Sequence, residues 1–92
     1  MIKTWRHKGL QKFFETGSKA GIQPAHAERL AEQLFAINSA NKVTNLNVPG
    51  YRLHQLIGDR KDIWSITVSG GWRITFRFED GNAFILNYED YH

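Results

Sequence analysis

The stretch Trp64-Ser65-Ile66-Thr67-Val68-Ser69-Gly70-Gly71-Trp72-Arg73-Ile74-Thr75-Phe76-Arg77-Phe78-Glu79 decides the fold. Trp64, Ile66 and Val68 alternate with Ser65, Thr67 and Ser69; Trp72, Ile74, Phe76 and Phe78 alternate with Arg73, Thr75, Arg77 and Glu79. Successive side chains of a strand leave on opposite faces, so this alternation predicts two half-buried strands. Gly70-Gly71 between them is a hairpin signal, because tight two-residue turns require positive φ. Asp80-Gly81-Asn82 turns the chain again, and Phe84-Ile85-Leu86-Asn87-Tyr88 supplies a further strand that runs into Asp90-Tyr91-His92. Upstream, Arg52-Leu53-His54 reads as a short strand and Gly58-Asp59 as a turn. Consecutive strands joined by short turns predict an antiparallel meander.

Before Tyr51 the period is helical. Leu10, Phe13 and Phe14 recur at i, i+3, i+4, with Lys8, Gln11, Lys12 and Glu15 on the other side. Gly17 and Gly21 close this element, and Pro24 suits the first turn of a second helix. Ala27, Leu30, Ala31, Leu34 and Ile37 form its apolar stripe, with Glu28, Arg29 and Glu32 outside. Ile2 to Trp5 reads as a short first strand, and Asn38 to Gly50 as a loop ending in the turn signal Pro49-Gly50. The expected fold is α+β, with two N-terminal helices packed on one face of a mostly antiparallel sheet.

The chain has 92 residues, which is one domain and one modest core. It has no cysteine, which excludes disulfides and thiolate zinc sites. The opening Met1-Ile2-Lys3-Thr4-Trp5-Arg6 is not followed by an apolar leader core, and no apolar run is long enough to span a bilayer; the expectation is a cytoplasmic protein with no membrane role. A net charge of +3 permits a polyanionic partner.

The alternation that buries Trp72, Ile74 and Phe76 turns Arg73, Thr75 and Arg77 to the uncovered face, and the same logic puts Arg52 and His54 there with Leu53 inward. An RNA backbone suits a sheet face carrying cations and an imidazole; so does plain solvent. Four histidines occur. His7 and His26 read as surface residues. His54 and His92 lie at strand positions among Asp, Tyr and Arg. Cleavage of RNA needs a base to take the 2′-hydroxyl proton, an acid to protonate the leaving 5′ oxygen, and a cation for the charge on the phosphoryl oxygens. His54, His92, Arg73 and Asp90 supply these parts without metal. The alternative is a two-His, one-carboxylate metal site from His54, Asp90 and His92.

Tyr51-Arg52-Leu53-His54-Gln55-Leu56, Gly58-Asp59-Arg60, Trp64-Ser65-Ile66, Trp72-Arg73-Ile74 and the closing Asp90-Tyr91-His92 together resemble the HigB toxins of the RelE-like toxin superfamily. The resemblance covers nearly the whole chain. It implies a ribosome-dependent endoribonuclease that cuts mRNA in the A site of the 70S ribosome by metal-independent attack of the 2′-hydroxyl, with no cofactor. It implies a helix-turn-helix antitoxin of the HigA type, with operator DNA bound only through the complex. It makes His54, Arg73, Asp90, Tyr91 and His92 the catalytic set. His54 and His92 are acid and base in either order; Asp90 orients an imidazole or takes the proton; Tyr91 stacks on a base or donates to a phosphate. Arg52, Arg60, Lys61 and Arg77 are candidate RNA contacts, with Asp59 and Asp62 competing for Arg60 and Lys61. Ile57 stands where relatives often carry lysine, which removes one candidate phosphate contact, and Gly71 stands where asparagine is common. The non-enzymatic alternative is a binding module that serves mainly as the antitoxin's co-repressor.

Overall fold

The computed structural model describes residues 1–90, so Tyr91 and His92 lie outside the described residues. The first helix, α1, spans Lys8–Thr16. His7 caps it: its Nδ1 accepts the Leu10 N–H at 2.9 Å, satisfying a donor that the first turn leaves without a carbonyl. Gly17 ends it at φ +82°, a left-handed conformation that glycine adopts without a Cβ clash. Leu10 and Phe13 are buried as expected, but Phe14 is 39% exposed and leans on Trp5 with ring centroids 5.4 Å apart.

Pro24 opens a separate 3₁₀ turn, Pro24–His26, and the second helix, α2, spans Ala27–Ser39. Leu30, Leu34 and Ile37 are fully buried, but Ala31 is exposed and Gln33 is buried in its place. Arg29 is not outside either. Its Nε donates to the Val68 carbonyl at 2.8 Å and its Nη2 to the Gly50 carbonyl at 3.0 Å, while Gln33 Nε2 donates to the Thr67 carbonyl at 2.7 Å. The strand below α2 carries an irregularity between Thr67 and Ser69, beside the Thr67 and Val68 carbonyls that these side chains reach, so polar side chains occupy part of the packing stripe. The approach to α2 is also tight: a Cβ on Gly21 would sit 2.5 Å from the Gly9 Cα, so backbone meets backbone there and only glycine fits.

Four strands follow: β1 (His54–Gln55), β2 (Trp64–Ser69), β3 (Trp72–Glu79) and β4 (Asn82–Asp90). They pair antiparallel in the order β1-β2-β3-β4, the meander that the alternation predicts. The predicted loop begins after Ser39 and contains a 3₁₀ turn, Val43–Leu46, which buries Leu46. The expected strand at Ile2–Trp5 is instead a pair of isolated parallel bridges, Ile2 to Ala83 and Trp5 to Leu86, along the outer edge of β4. A bulge separates them: Ile85 has φ +51°, the β3–β4 register shifts between Thr75 and Arg77, and the Ile85 N–H donates to Thr4 Oγ1 at 2.7 Å rather than to a backbone carbonyl.

The core lies between the helices and one sheet face. Leu10, Leu30, Leu34 and Ile37 meet Ile66, Ile74, Phe76 and Leu86, all 0% exposed, and each such side chain contributes about 1.5–3 kcal/mol by leaving water.

Candidate active site

The second sheet face carries the site, and it is not bare. Ser65 and Thr75, both expected to face solvent, are buried. The connection between β1 and β2 reaches over part of this face. Gly58, at φ +76°, starts a 3₁₀ turn (Gly58–Arg60), and the Arg60 Nη2 reaches Glu89 Oε1 at 2.7 Å. Glu89 belongs to β4, so the connection leans across the sheet to meet it.

Strand register brings the groups into rows. His54 lies opposite Ser65, which lies opposite Thr75; Thr67 lies opposite Arg73, which lies opposite Glu89. Cross-strand partners share a face. His54 and Arg73 therefore emerge on the same side, as expected, and both line a single cleft of about 550 Å³. Leu56, Ile57 and Arg60 form one wall of it, and Thr67, Gly70, Gly71 and Trp72 contribute the other.

His54 is exposed, and its Nδ1 lies 2.9 Å from the Arg52 carbonyl. A carbonyl only accepts, so Nδ1 carries a proton and the neutral ring keeps its basic lone pair on Nε2. Arg52 has φ +52°, which breaks the alternation just before β1; it is exposed and makes no cleft wall. Leu53 turns inward against the core, as expected.

Glu89 is the residue that sequence reasoning missed. Its carboxylate accepts from Arg60 Nη2 at 2.7 Å and from Thr75 Oγ1 at 3.3 Å, and lies 3.6 Å from Arg73 Nη2. The hydrogen bond from Arg60 holds its carboxyl below the usual range, helped by the charges of Arg60 and Arg73 and by Thr75, while partial burial opposes the shift. The alternation Leu86, Tyr88 against Asn87, Glu89 was the available signal, but only the register shows that Glu89 faces Arg73.

Arg60 is thus paired with Glu89, not with the neighbouring Asp59 or Asp62 that the sequence suggests. Lys61 is exposed at the outer side of the same connection. Arg77 lies away from the cleft: it pairs with Glu79 at 2.8 Å and sits over the Phe84 ring at 4.6 Å from the centroid. Asp90 lies opposite Trp72, so the alternation puts it on the helix side with Tyr88 rather than beside Arg73. Among the described residues no three His, Asp or Glu side chains come together. Tyr91 and His92 lie outside the described residues.

The other two histidines are not the surface residues expected. Both are half-buried. Besides capping α1, His7 meets the Tyr88 ring edge-on at 5.5 Å, and burial pushes its pKa down. His26 Nδ1 lies 2.6 Å from the Tyr88 hydroxyl, and its ring meets Trp72 at 5.7 Å. Trp72 in turn stacks on Tyr88 at 4.6 Å. This aromatic group supports the end of β4 that leads to the last residues. Burial raises the Tyr88 pKa, and the charge of Asp90 adds to the rise.

Comparison with known proteins gives the family. The family described as the RelE-like toxin of the type II toxin–antitoxin system HigB matches residues 3–92. The chain is 50% identical to the endoribonuclease HigB of Proteus vulgaris over the full length of both. It is 30% identical to the toxin HigB-1 of Vibrio cholerae serotype O1 over all of this chain and 98% of that one. With His54 and Arg73 in one cleft on an α+β meander and the match running through nearly every residue, the chain belongs to the HigB-like toxins of type II toxin–antitoxin systems.

Proposed function

We propose that this toxin is an endoribonuclease that cuts mRNA in the A site of the 70S ribosome, with the substrate's own 2′-hydroxyl as nucleophile and no metal. The observation that carries the reading is the shared cleft of His54 and Arg73. It joins a titratable ring nitrogen and a fixed cation, the pair that phosphate transesterification requires.

In the proposed reaction a base removes the 2′-hydroxyl proton, the 2′ oxygen bonds to the adjacent phosphorus, and the bond from phosphorus to the 5′ oxygen breaks. An acid returns a proton to that oxygen, leaving a 2′,3′-cyclic phosphate and a 5′-hydroxyl. Arg73 neutralises the charge that builds on the phosphoryl oxygens. His54, with Nε2 as its basic nitrogen, and His92 are the acid and base. Asp90, at the end of β4, orients an imidazole or takes the hydroxyl proton; Tyr91 stacks on a base or donates to a phosphate. Arg52, Arg60 and Lys61 contact the RNA backbone. The position of Arg77, paired with Glu79 and remote from the cleft, supports a structural rather than an RNA-binding role.

A type II toxin has an antitoxin; here we propose a HigA-like helix-turn-helix protein that silences the toxin and carries the complex to operator DNA. The site of action is the cytoplasm, where translation occurs.

The test is primer extension on a translated message with purified ribosomes. Breaks within A-site codons are expected with the protein present and absent without it. His54→Ala should slow cleavage by about 10²–10⁴-fold, the usual contribution of a positioned acid or base. Uniform cutting of naked RNA, or cleavage abolished by EDTA while the ribosomes stay intact, would overturn the reading.

A further inference from the structure

We propose that Glu89 is a positioning residue: its carboxylate anchors the Arg73 guanidinium at the cleft and ties the connection bearing Arg60 over the sheet. The inference rests on the cleavage reading above and adds to it the group that fixes the phosphate-binding cation.

Arg73 has only 11% of its side chain exposed, against 41% for Arg60. A cation that far out of water needs an opposite charge nearby. Glu89 is its direct cross-strand partner, so both Cα positions are set by the ladder between β3 and β4. The carboxylate is itself held by other groups: Arg60 donates to both of its oxygens, at 2.7 and 3.5 Å, and Thr75 to Oε1, while Arg73 lies against Oε2. Arg73 therefore meets an anion that two other side chains already hold, which narrows the positions its long side chain can take ahead of substrate binding. That is placement prepared in advance, which counts for more at the transition state than charge alone.

An acid beside a phosphate site carries a repulsive cost. If charge were all that mattered, removing Glu89 would strengthen RNA binding and speed the reaction. If placement matters, removing it leaves binding nearly intact and slows the chemical step. Opposite signs separate the two.

The experiment measures single-turnover cleavage of ribosome-bound message at saturating toxin, for the wild type, Glu89→Gln, Glu89→Asp, Arg73→Lys and the double variant Glu89→Gln/Arg73→Lys. Glu89→Gln should cleave about 10–100-fold more slowly, the scale of effect of a cation misplaced by an ångström. The toxin concentration that half-saturates ribosomes should change by less than about threefold, and Glu89→Asp should recover part of the rate. In the Arg73→Lys background the same substitution should cost less than about threefold, because groups that act as a unit are not additive. A merely structural role predicts the same factor in both backgrounds. The inference is overturned if Glu89→Gln matches or exceeds the wild type, or loses the same factor with and without Arg73. Near-UV circular dichroism from the three tryptophans reports folding. Should Glu89→Gln fail to fold, Glu89→Asp carries the same comparison across the two backgrounds. A wild type that leaves translated message uncut fails the nuclease reading, and the inference with it.

Discussion

At the scale of single residues, His7 joins a helix end to a titratable ring. Its Nδ1 accepts the Leu10 N–H, which a protonated ring cannot do. Burial lowers its pKa from the ordinary 6.5, so the folded state binds that proton less readily than the unfolded chain. The stability this contributes is complete above 6.5 and is lost as pH falls through the lower folded value. His7→Ala should cost about 0.5–2 kcal/mol at neutral pH, the range for a lost N-cap. His7→Asn should keep the cap and flatten the loss of melting temperature between neutral and mildly acid pH; an unchanged slope would refute the coupling. The histidines show where reading by residue type stops. His7 could be placed at a helix start from the pattern that follows it, and His54 on the second face from alternation. The Tyr88 hydroxyl that meets His26 is 62 positions away, and nothing local announces it.

At the scale of elements, β4 organises the molecule. It pairs with β3 on one side and receives the first residues of the chain on the other, and it carries both the bulge at Ile85 and the carboxylate of Glu89. Period-two alternation made β2 and β3 legible with their faces, since one buried face leaves little freedom in parity. The bulges were not legible: an extra residue shifts the phase of the alternation, but in β4 Phe84 and Ile85 are as apolar as the buried Ala83 and Leu86 on either side and hide the shift. The polar face of α2 was hidden as well: Arg29 and Gln33 reach carbonyls at the irregular end of β2. The bulge in β4 can be tested through Thr4. Thr4→Val removes the acceptor for the Ile85 N–H and should cost about 0.5–1.5 kcal/mol, whereas Thr4→Ser should retain most of that bond. In a domain of this size 1 kcal/mol corresponds to roughly 4–8 °C in melting temperature, which differential scanning calorimetry resolves. Equal melting of the two variants would remove Thr4 from the account.

At the scale of the whole molecule, an excess of +3 charges is modest, and its placement decides what it does. Lys61 is exposed on the connection beside the cleft, while Arg77 is held by Glu79 and Phe84 away from it. Lys61→Ala should reduce the slope of log affinity against log salt for ribosome binding by roughly one, and Arg77→Ala should leave it unchanged. A reversed pattern would move the RNA track to the far end of the sheet. The choice of α+β architecture, the helix side of the sheet and the meeting of His54 with Arg73 were all within reach of the sequence. The cleft was not, since its wall is a connection that folds back over the sheet, and Arg60 finds its acid on the far strand rather than among its neighbours. The parallel docking of Ile2 and Trp5 on β4 has a further consequence during synthesis. Ile2 and Trp5 have no ladder to join until β4 has been made, and that strand also brings Glu89 to Arg60 and Arg73. A nascent chain that has not yet reached Asn82 already holds every residue that lines the cleft but not the carboxylate that ties Arg60 and Arg73 in place, so the cleft gains its fixed cation only once β4 has emerged.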